Sequence, residues 1–317
     1  MVKKCFSKCV ALTAVMTLLV FSAGAVCAME IGVAWVGKSG MAKRVAKGLQ
    51  EGMVQLAPDV KMEFQKELGS LADLEKIVSR WSKEKQGMVI LRSNGAKWLG
   101  KNPPQIPTFI GGCNNPEQLG AVKNMKAPEG NITGVTYYLP VATQFEIFQA
   151  IVPDMASVLL LLGHGNPSAD VDRTETEAVC KKLGIAYNGV VCASVGEIEA
   201  AVNKYKSKVS AIIIGNQAEV MDYTQQIMAA AEKTPVVSYS NKPVKMGALG
   251  GFVADDVKLG GMLSESVVEV LKKGKAIKDV PVKVDPDPKF FVNVKTVEML
   301  GIEIPYTILE AASLIDG

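Results

Sequence analysis

Small and polar side chains follow each of six apolar runs along the chain. The segments concerned are GKSG, RSNG, GCNN, GHGN, GNQ and SYSN. If the runs are parallel strands, their carboxyl ends meet at one edge of a sheet, where open α/β sheets bind ligands. Asparagine is also common in turns, but its recurrence after strand after strand favours ligand binding. The residues that we expect to contact a ligand from these segments are Lys38, Ser39, Ser93, Asn94, Asn114, Asn115, His164, Asn166, Asn216, Ser240 and Asn241.

One of these segments belongs to a formal match to the nucleotide-binding phosphate loop. Residues 32–39 read GVAWVGKS and satisfy the pattern G-x-x-x-x-G-K-[ST]. The match fails physically, because strand residues such as Val33 and Val36 replace the flexible backbone that wraps phosphate oxygens. No later apolar strand ends in the aspartate that would hold Mg²⁺. What remains is a helix N-terminus where Lys38 and backbone N–H groups near Ser39 can hold a small anion such as a carboxylate.

The sequence contains no arrangement that indicates catalysis. His164 follows a strand and is the single histidine, but catalysis by histidine needs a nucleophile or an orienting carboxylate, and no G-x-S-x-G elbow occurs. The position of His164 is equally compatible with a contact to a ligand and with a place on the protein surface. The spacing of Cys113, Cys180 and Cys192 does not make a metal site. We therefore expect neither an enzyme nor a metal or other cofactor.

Three aromatic residues at strand ends can wall a pocket. They are Trp35, in the run EIGVAWVG, and the adjacent Tyr137 and Tyr138, in GNITGVTYYLP. Large aromatic residues belong to cores by default, but these positions suit an aromatic or branched apolar group of a ligand. Thr136 belongs to the same segment and is expected at the pocket too. Because side chains alternate along an extended chain, one tyrosine at most can face the ligand squarely.

The elements that must position these residues alternate between strand and helix. From Glu30 onward, β-rich runs alternate with amphipathic helical patterns, and the same order repeats after Pro140. This alternation predicts βαβ units and parallel sheets in two α/β lobes of similar plan. The purest strands, SVLLLLG and SAIIIG, are continuous apolar runs, as expected where helices cover both faces of a sheet.

The N-terminal residues are typical of an export signal. Lysines precede an apolar run at residues 10–21, and the small residues of SAGAVCA place a cleavage site after Ala28. The run is too short for a membrane anchor. A lipid anchor on Cys27 is less favoured than soluble export to the periplasm, because the preceding residues fit a lipoprotein signal poorly.

Removal of residues 1–28 changes the charge balance of the chain. The segment holds three lysines and no acidic residue, so 35 basic residues minus 3 leaves 32, against 32 acidic residues. A neutral chain without a long basic run is not typical of nucleic-acid binding, which needs a basic face. No nucleic-acid partner is therefore expected.

Three long stretches resemble one protein family. They are NITGVTYYLPVATQFEIFQAIVPDMASVLLLLG, TPVVSYSNKPVKMGALGGFVADDVKLGGMLSESVVEVLKKGKAIKDVPV and FVNVKTVEMLGIEIP. Together they resemble the substrate-binding proteins of an ABC-transporter family that includes tryptophan and tyrosine importers. The resemblance implies a type I periplasmic binding fold, with two Rossmann-like lobes joined by three crossing segments.

The resemblance also implies where the lobes divide. The crossings would lie near Thr136–Pro140, Gly247–Ala254 and Lys289–Val294. The first lobe would contain residues 29–138 and 249–291, and the second residues 139–248 and 292–317. Asp255 matches an aspartate that family members carry before a Leu-Gly pair. Asn115-Pro116 departs from the Asp-Pro usual in the family, which removes a charge from the rim of the cleft.

The function implied is that of a periplasmic solute-binding component of an ABC importer, working as a monomer with an inner-membrane permease. Its ligand would be an amino acid, aromatic or branched, or a related compound. In this hypothesis Asp255 binds the ammonium group, and the helix N-termini near Ser39 and Asn94 bind the carboxylate. An exported sensor module that passes its ligand to a signalling receptor is an alternative, and an exported α/β enzyme is less favoured.

Overall fold

Two β-sheets organise the chain in the computed structural model, which describes residues 29–316. The predicted export signal at residues 1–28 lies outside the described residues. The elements up to the end of the first sheet are β1 (Glu30–Val36), α1 (Gly40–Leu56), β2 (Lys61–Leu68), α2 (Leu71–Glu84), β3 (Gly87–Leu91), α3 (Ser93–Lys101), β4 (Thr108–Gly111) and β5 (Ile132–Gly134).

The second sheet forms from the elements that follow. These are α4 (Val141–Ile151), β6 (Ser157–Gly163), α5 (Pro167–Leu183), β7 (Ala186–Cys192), α6 (Val195–Tyr205), β8 (Ala211–Ile214), α7 (Ala218–Met221), α8 (Thr224–Ala231), β9 (Val236–Ser238), α9 (Asn241–Lys245) and β10 (Gly250–Val253). The last elements are α10 (Asp256–Leu271), β11 (Lys289–Asn293), α11 (Val294–Leu300), α12 (Tyr306–Ala311) and β12 (Ser313–Ile315). Within residues 29–316, every helix is too short or too polar to cross a membrane.

Both sheets are built mainly from parallel strands, as the continuous apolar runs predict. The first has the order β2-β1-β3-β4-β5, and all its pairs are parallel. The second has the order β12-β11-β10-β9-β8-β6-β7, with one antiparallel pair, β10 and β11. The central strands β3 and β8 are buried along their whole length, because helices cover both faces. The α/β fold class is thereby confirmed.

Helix α10 follows a strand of the second sheet but packs against the first. Its residues Leu259 and Leu263 share a buried cluster with Val45 and Leu49 of α1. The two helices approach so closely that a Cβ atom on Gly260 would lie 2.2 Å from the Val45 carbonyl oxygen. The chain therefore returns to the first lobe through this helix, and glycine is required at the contact.

Backbone pairing places in the second sheet two strands that the sequence-based division puts wholly or partly in the first lobe. Near the first crossing, Val135 pairs with Lys283 beside the first sheet, and α4 begins at Val141. Strand β10 pairs with β9 and β11 in the second sheet, although the resemblance implies that residues 249–291 belong to the first lobe. Strand β11 also lies wholly in the second sheet, so the third crossing precedes Lys289. Short apolar strands fit either sheet, and only their backbone pairing assigns them.

The three described cysteines are buried and do not form disulfides. Burial raises the pKa of the Cys113 thiol to about 12 and those of Cys180 and Cys192 to about 11. Because the thiolate is the reactive form, these side chains serve as small core residues.

Candidate functional site

A cleft between the two sheets, at the carboxyl ends of their strands, contains two adjoining cavities. We call them the inner chamber, of about 260 Å³, and the outer chamber, of about 550 Å³. The residues that line both are Met41, Arg44, Tyr137, Asn216, Ser240 and Asn241. The inner chamber is also lined by Asn114, Tyr138, Asp172, Tyr239, Phe252, Asp255 and Phe291. The outer chamber is also lined by Ser39, Arg92, Ser93, Asn94, Asn166, Ser168 and Glu219.

The two chambers lie at different depths of the cleft. The inner chamber is bounded by residues at or next to the three crossings, namely Leu139, Ala254 and Lys289. The outer chamber is bounded by the first residues of α1, α3 and α5. A molecule that fills both chambers contacts residues of both lobes.

The structure distinguishes the two adjacent tyrosines. Tyr137 lines both chambers, and its pKa is raised by burial, which the side chains of Ser93 and Ser168 oppose through hydrogen bonding. Tyr138 lines only the inner chamber and not the outer one, and its hydroxyl donates to Glu175 Oε2 of the second lobe at 2.6 Å. Tyr137 is thus the more central residue of the cleft, and Tyr138 links the first crossing to α5.

Asp172, on α5, is a central residue of the inner chamber that sequence reasoning missed. Its carboxylate is buried and accepts hydrogen bonds from Asn114 Nδ2 at 2.7 Å, Gln217 Nε2 at 2.5 Å and the Asn216 backbone at 3.1 Å. Burial raises its pKa to about 6, and the charge of Glu175 acts in the same direction, while the three donors oppose the shift. All three donors are neutral, so the ionised carboxylate has no cationic partner within residues 29–316.

No sequence motif marks Asp172. It lies in the segment SADVDRTETEA, where alternating acidic and small residues are typical of a solvated helix face. The one available signal is positional, since α5 begins directly after the strand-end segment GHGN. The first two turns of such a helix face the same edge of the sheet as the strand ends.

Asp255 caps a helix at the wall of the inner chamber. It precedes α10, and its Oδ1 accepts hydrogen bonds from the backbone N–H groups of Val257 at 2.9 Å and Lys258 at 3.0 Å. The side chain is exposed to the cleft. The neighbouring Asp256 pairs with Arg44 Nη2 at 2.8 Å. Asp255 therefore stabilises α10 and still offers a second carboxylate oxygen to the chamber.

Several predicted residues meet at the outer chamber through helix caps. Ser39 Oγ accepts from Ala42 N–H at 3.1 Å and caps α1, while Asn166 Oδ1 accepts from Ser168 N–H at 3.1 Å and caps α5. Asn94 lies in the first turn of α3, the helix that follows β3. The two caps and Asn94 place the N-terminal turns of three helices beside the outer chamber, which favours negative charge there.

Asn216 connects the chambers and is incompletely bonded. Its backbone N–H donates to Asp172, whereas its Oδ1 is buried and has no hydrogen-bond partner among the described residues. A buried amide oxygen without a partner costs about 1–3 kcal/mol. This atom is therefore available to a donor on a ligand.

Five predicted residues lie outside both chambers. Trp35 is fully buried in the core between the first sheet and α1, and Lys38 is exposed at the turn before α1. Thr136 is buried and donates to the Cys113 carbonyl at 2.8 Å, so it stabilises the backbone of the crossing. Asn115 bonds to Glu175 at 3.4 Å, and His164 lines a shallow depression beside Lys97.

Two lobes with parallel sheets, joined by three crossings around a cleft, define the class of type I periplasmic binding proteins. A solved Streptococcus pneumonia ABC domain in complex with L-Trp has a TM-score of 0.79 and 24% identity, over 90% of this chain and 99% of that one. A conserved domain protein from Vibrio cholerae has a TM-score of 0.79 and 21% identity, over 91% and 100% of the two chains.

The family follows from the sequence comparison. The model of the ABC transporter substrate binding protein family matches residues 32–315, and the chain belongs to this family. A curated relative, the tyrosine-binding protein of Clostridioides difficile, is 22% identical over 266 residues, which cover 82% of this chain and 76% of that protein. The resemblance found in the sequence is thereby confirmed.

Proposed function

We propose that the chain is the extracytoplasmic solute-binding component of an ABC importer. Its ligand is an amino acid with an aromatic side chain, or a related compound, and it binds in the cleft between the lobes. The observation that carries this proposal is Asp172, a buried carboxylate without a cationic partner among the described residues, beside a chamber walled by aromatic rings. The L-Trp complex and the tyrosine-binding relative support the same ligand class.

Asp172 is the principal partner of the ligand's ammonium group. An ionised carboxylate taken out of water costs several kcal/mol unless a cation pairs with it. The ammonium group supplies that cation, and the neutral donors around Asp172 hold the carboxylate in place. Asp255, on the opposite wall, supplies a second carboxylate oxygen, as the family resemblance implies.

The aromatic side chain of the ligand packs in the inner chamber. Tyr137, Tyr239, Phe252 and Phe291 line this space. Two contacts outside the chamber hold the side chain of Tyr239 in place. Its ring stacks on Phe148 with centroids 5.9 Å apart, and its hydroxyl forms a hydrogen bond of 2.8 Å with Thr176 Oγ1. Rings held rigidly in this way favour offset or edge-to-face contacts with a further ring.

The carboxylate of the ligand points toward the outer chamber. The N-termini of α1 and α3, near Ser39 and Asn94, favour an anion there. Binding then favours the closed state of the two lobes, because the ligand contacts helix N-termini of the first lobe and Asp172 of the second at the same time. The closed form is the one that a membrane permease recognises, and we propose no catalytic activity.

A thermal-shift screen tests the proposed function. The chain expressed from Met29 is mixed with amino acids, nucleosides, sugars and aromatic acids. A compound present at 100 times its Kd adds about 2.7 kcal/mol to the free energy of unfolding. We expect stabilisation by tyrosine, tryptophan or phenylalanine. Stabilisation by a sugar or nucleoside, with no response to any amino acid, would contradict the proposal.

A further inference from the structure

Arg92 is a half-buried cation at the wall of the outer chamber. It precedes α3, and its Nη1 donates to the carbonyl oxygen of Val36. No ion pair within residues 29–316 involves its guanidinium group. Burial lowers its pKa, and the charge of Glu219 across the cleft acts in the opposite direction. A buried guanidinium group that bonds to one neutral carbonyl has unused donors and an incompletely compensated charge.

The positive charges of the other cationic residues that line the outer chamber are compensated by an acidic residue or by water. Arg44 pairs with Asp256, with Nε 2.9 Å from Oδ2. Lys242 is exposed and pairs with Asp222 at 2.5 Å. Lys245 is exposed to solvent, so water compensates its charge. Arg92 is therefore the cation that gains most from an anionic group in the chamber.

The surroundings of Arg92 complete an anion-binding wall. Ser93 and Asn94, the first residues of the nine-residue helix α3, line the same chamber and bring its positive end to the guanidinium group. Glu219, the facing acidic residue, is exposed, and its Oε2 accepts a hydrogen bond from Asn166 at 3.2 Å. The other carboxylate that lines the outer chamber, Asp222, pairs with Lys242, so Glu219 is the solvated acidic residue nearest in charge effect to Arg92.

Tyr137 separates Arg92 from Asp172. Its side chain lines both chambers, while Asp172 lines only the inner chamber and Arg92 only the outer one. An amino acid beside Tyr137 can direct its ammonium group toward Asp172 and its carboxylate, on the same carbon atom, toward Arg92. This arrangement sets the polarity of the ligand in the cleft.

We propose that Arg92 binds the carboxylate of the ligand and restricts the ligand class to aromatic compounds that carry a free carboxylate. The proposal rests on the proposed function, since it concerns the same cleft. The guanidinium group matches a carboxylate because its planar N–H groups can bond to both oxygens at once. Amines and amides of the same shape leave these donors unpaired and are rejected by about 10-fold to 100-fold.

Calorimetric titration with three matched probes tests this inference. The probes are L-tyrosine, tyramine, which lacks the carboxylate, and 3-(4-hydroxyphenyl)propionate, which lacks the ammonium group. We expect the wild-type chain to bind tyrosine at least 10-fold more tightly than tyramine. Arg92→Gln lowers the affinity for tyrosine by about 10-fold to 100-fold and leaves that for tyramine unchanged. Arg92→Lys keeps the charge but not the planar guanidinium group, so its affinity for tyrosine should lie between those of the wild type and Arg92→Gln.

Lys101→Gln is the matched control, since it removes one positive charge from the last turn of the same helix, outside both chambers. It should leave all three affinities unchanged. Equal losses of tyrosine and tyramine binding in Arg92→Gln, or no loss at all, would overturn the role of Arg92.

Different outcomes of this titration contradict the role of Arg92 and the proposed amino-acid ligand. If tyramine binds the wild-type chain as tightly as tyrosine, the aromatic ligand class stands and the Arg92 inference falls. If only the propionate binds, and does so through Arg92, the Arg92 inference stands and the amino-acid proposal falls. Failure of all three probes to bind, together with no response to tryptophan or phenylalanine in the thermal-shift screen, would overturn both.

Discussion

Asp172 and Asp255 both face the inner chamber, but their surroundings give them different roles. Asp255 is exposed and already caps α10 through two backbone N–H groups. Asp172 is buried, and burial raises its pKa to about 6 despite three neutral hydrogen-bond donors. An ammonium group therefore stabilises Asp172 more than Asp255, because it replaces hydration that only Asp172 has lost.

Substitution of the two residues separates these roles. We expect Asp172→Asn to lower the affinity for L-tryptophan by about 10-fold or more, because a hydrogen bond to a charged group contributes about 1.5–3 kcal/mol. Asp255→Asn should lower it less, since asparagine also caps helices well. Calorimetry on both variants measures the difference. A larger loss in Asp255→Asn would make Asp255 the principal partner.

The pH dependence of binding follows from the raised pKa of Asp172. In the unliganded protein Asp172 is protonated below about pH 6, and an ammonium group favours the ionised form, so binding lowers its pKa. Affinity for L-tryptophan should therefore rise between pH 5 and pH 7, by up to about 10-fold per pH unit below the pKa. Calorimetry across this range measures the slope, and Asp172→Asn should flatten it. An affinity that falls as the pH rises would contradict the assignment.

The same shift affects the stability of the unliganded protein. Because the folded-state pKa of Asp172 lies above its unfolded value, this residue favours folding most below the unfolded pKa. Its contribution is lost as the pH rises through about 6. Above this pH, where Asp172 is ionised, a bound cationic ligand raises the free energy of unfolding again.

Residues directly after strands could be predicted as cleft residues, and those within helices could not. Asn114, Asn216 and Ser240 line the cleft because the carboxyl ends of parallel strands meet there. Asp172 and Arg44 reach it from helix turns whose composition resembles a solvated face. The strand-end position of Trp35 predicts a cleft residue too, but the pleat of β1 directs its side chain to the core.

At the scale of elements, the contact between α1 and α10 holds the first lobe together. The contact depends on glycine, because a Cβ on Gly260 would lie 2.2 Å from the Val45 carbonyl oxygen and 2.7 Å from the Leu49 nitrogen. Neither atom can move without displacing α1. At the next position, a Cβ on Gly261 would meet no neighbour within 4 Å among the described residues.

Two alanine substitutions test this contact. Gly260→Ala should lower the free energy of unfolding by about 1–3 kcal/mol, because it forces two packed helices apart. Gly261→Ala is the matched control and should raise that free energy by up to about 1 kcal/mol, since alanine favours helix more than glycine does. Urea unfolding measures both. A Gly260→Ala variant as stable as the wild type would contradict the close approach.

The order of elements could be predicted from the sequence, but the assignment of two strands to sheets could not. Alternating strand and helix patterns identify the βαβ units correctly, because the interior strands such as β3, β6 and β8 are continuous apolar runs. Strands β10 and β11 are apolar too, and periodicity does not tell which sheet pairs with them. Their backbone bonds place both in the second sheet.

At the scale of the whole molecule, hydrogen bonds from α5 connect the two lobes beside the inner chamber. Glu175 accepts hydrogen bonds from Tyr138 Oη at 2.6 Å, from Asn115 Nδ2 at 3.4 Å and from Gln118. One turn earlier, Asp172 accepts from Asn114 of the first lobe. These bonds hold α5 against the first lobe without a ligand, and so favour a partly closed cleft.

Removal of Glu175 should open the unliganded protein. We expect Glu175→Ala to raise the radius of gyration in small-angle scattering and to weaken ligand binding a few-fold, because each net hydrogen bond contributes about 0.5–1.5 kcal/mol. Glu177→Ala, an exposed position on the same helix, is the control and should change neither quantity. Identical scattering profiles for Glu175→Ala and the wild type would show that these bonds do not affect closure.

The most direct test of the central claim is a crystal structure of the chain, expressed from Met29, with L-tyrosine bound. We expect the amino acid to lie between the lobes, with its ring against Tyr137 and its ammonium nitrogen about 3 Å from the Asp172 carboxylate. An empty cleft at saturating L-tyrosine, or an ammonium group bound away from Asp172, would contradict it.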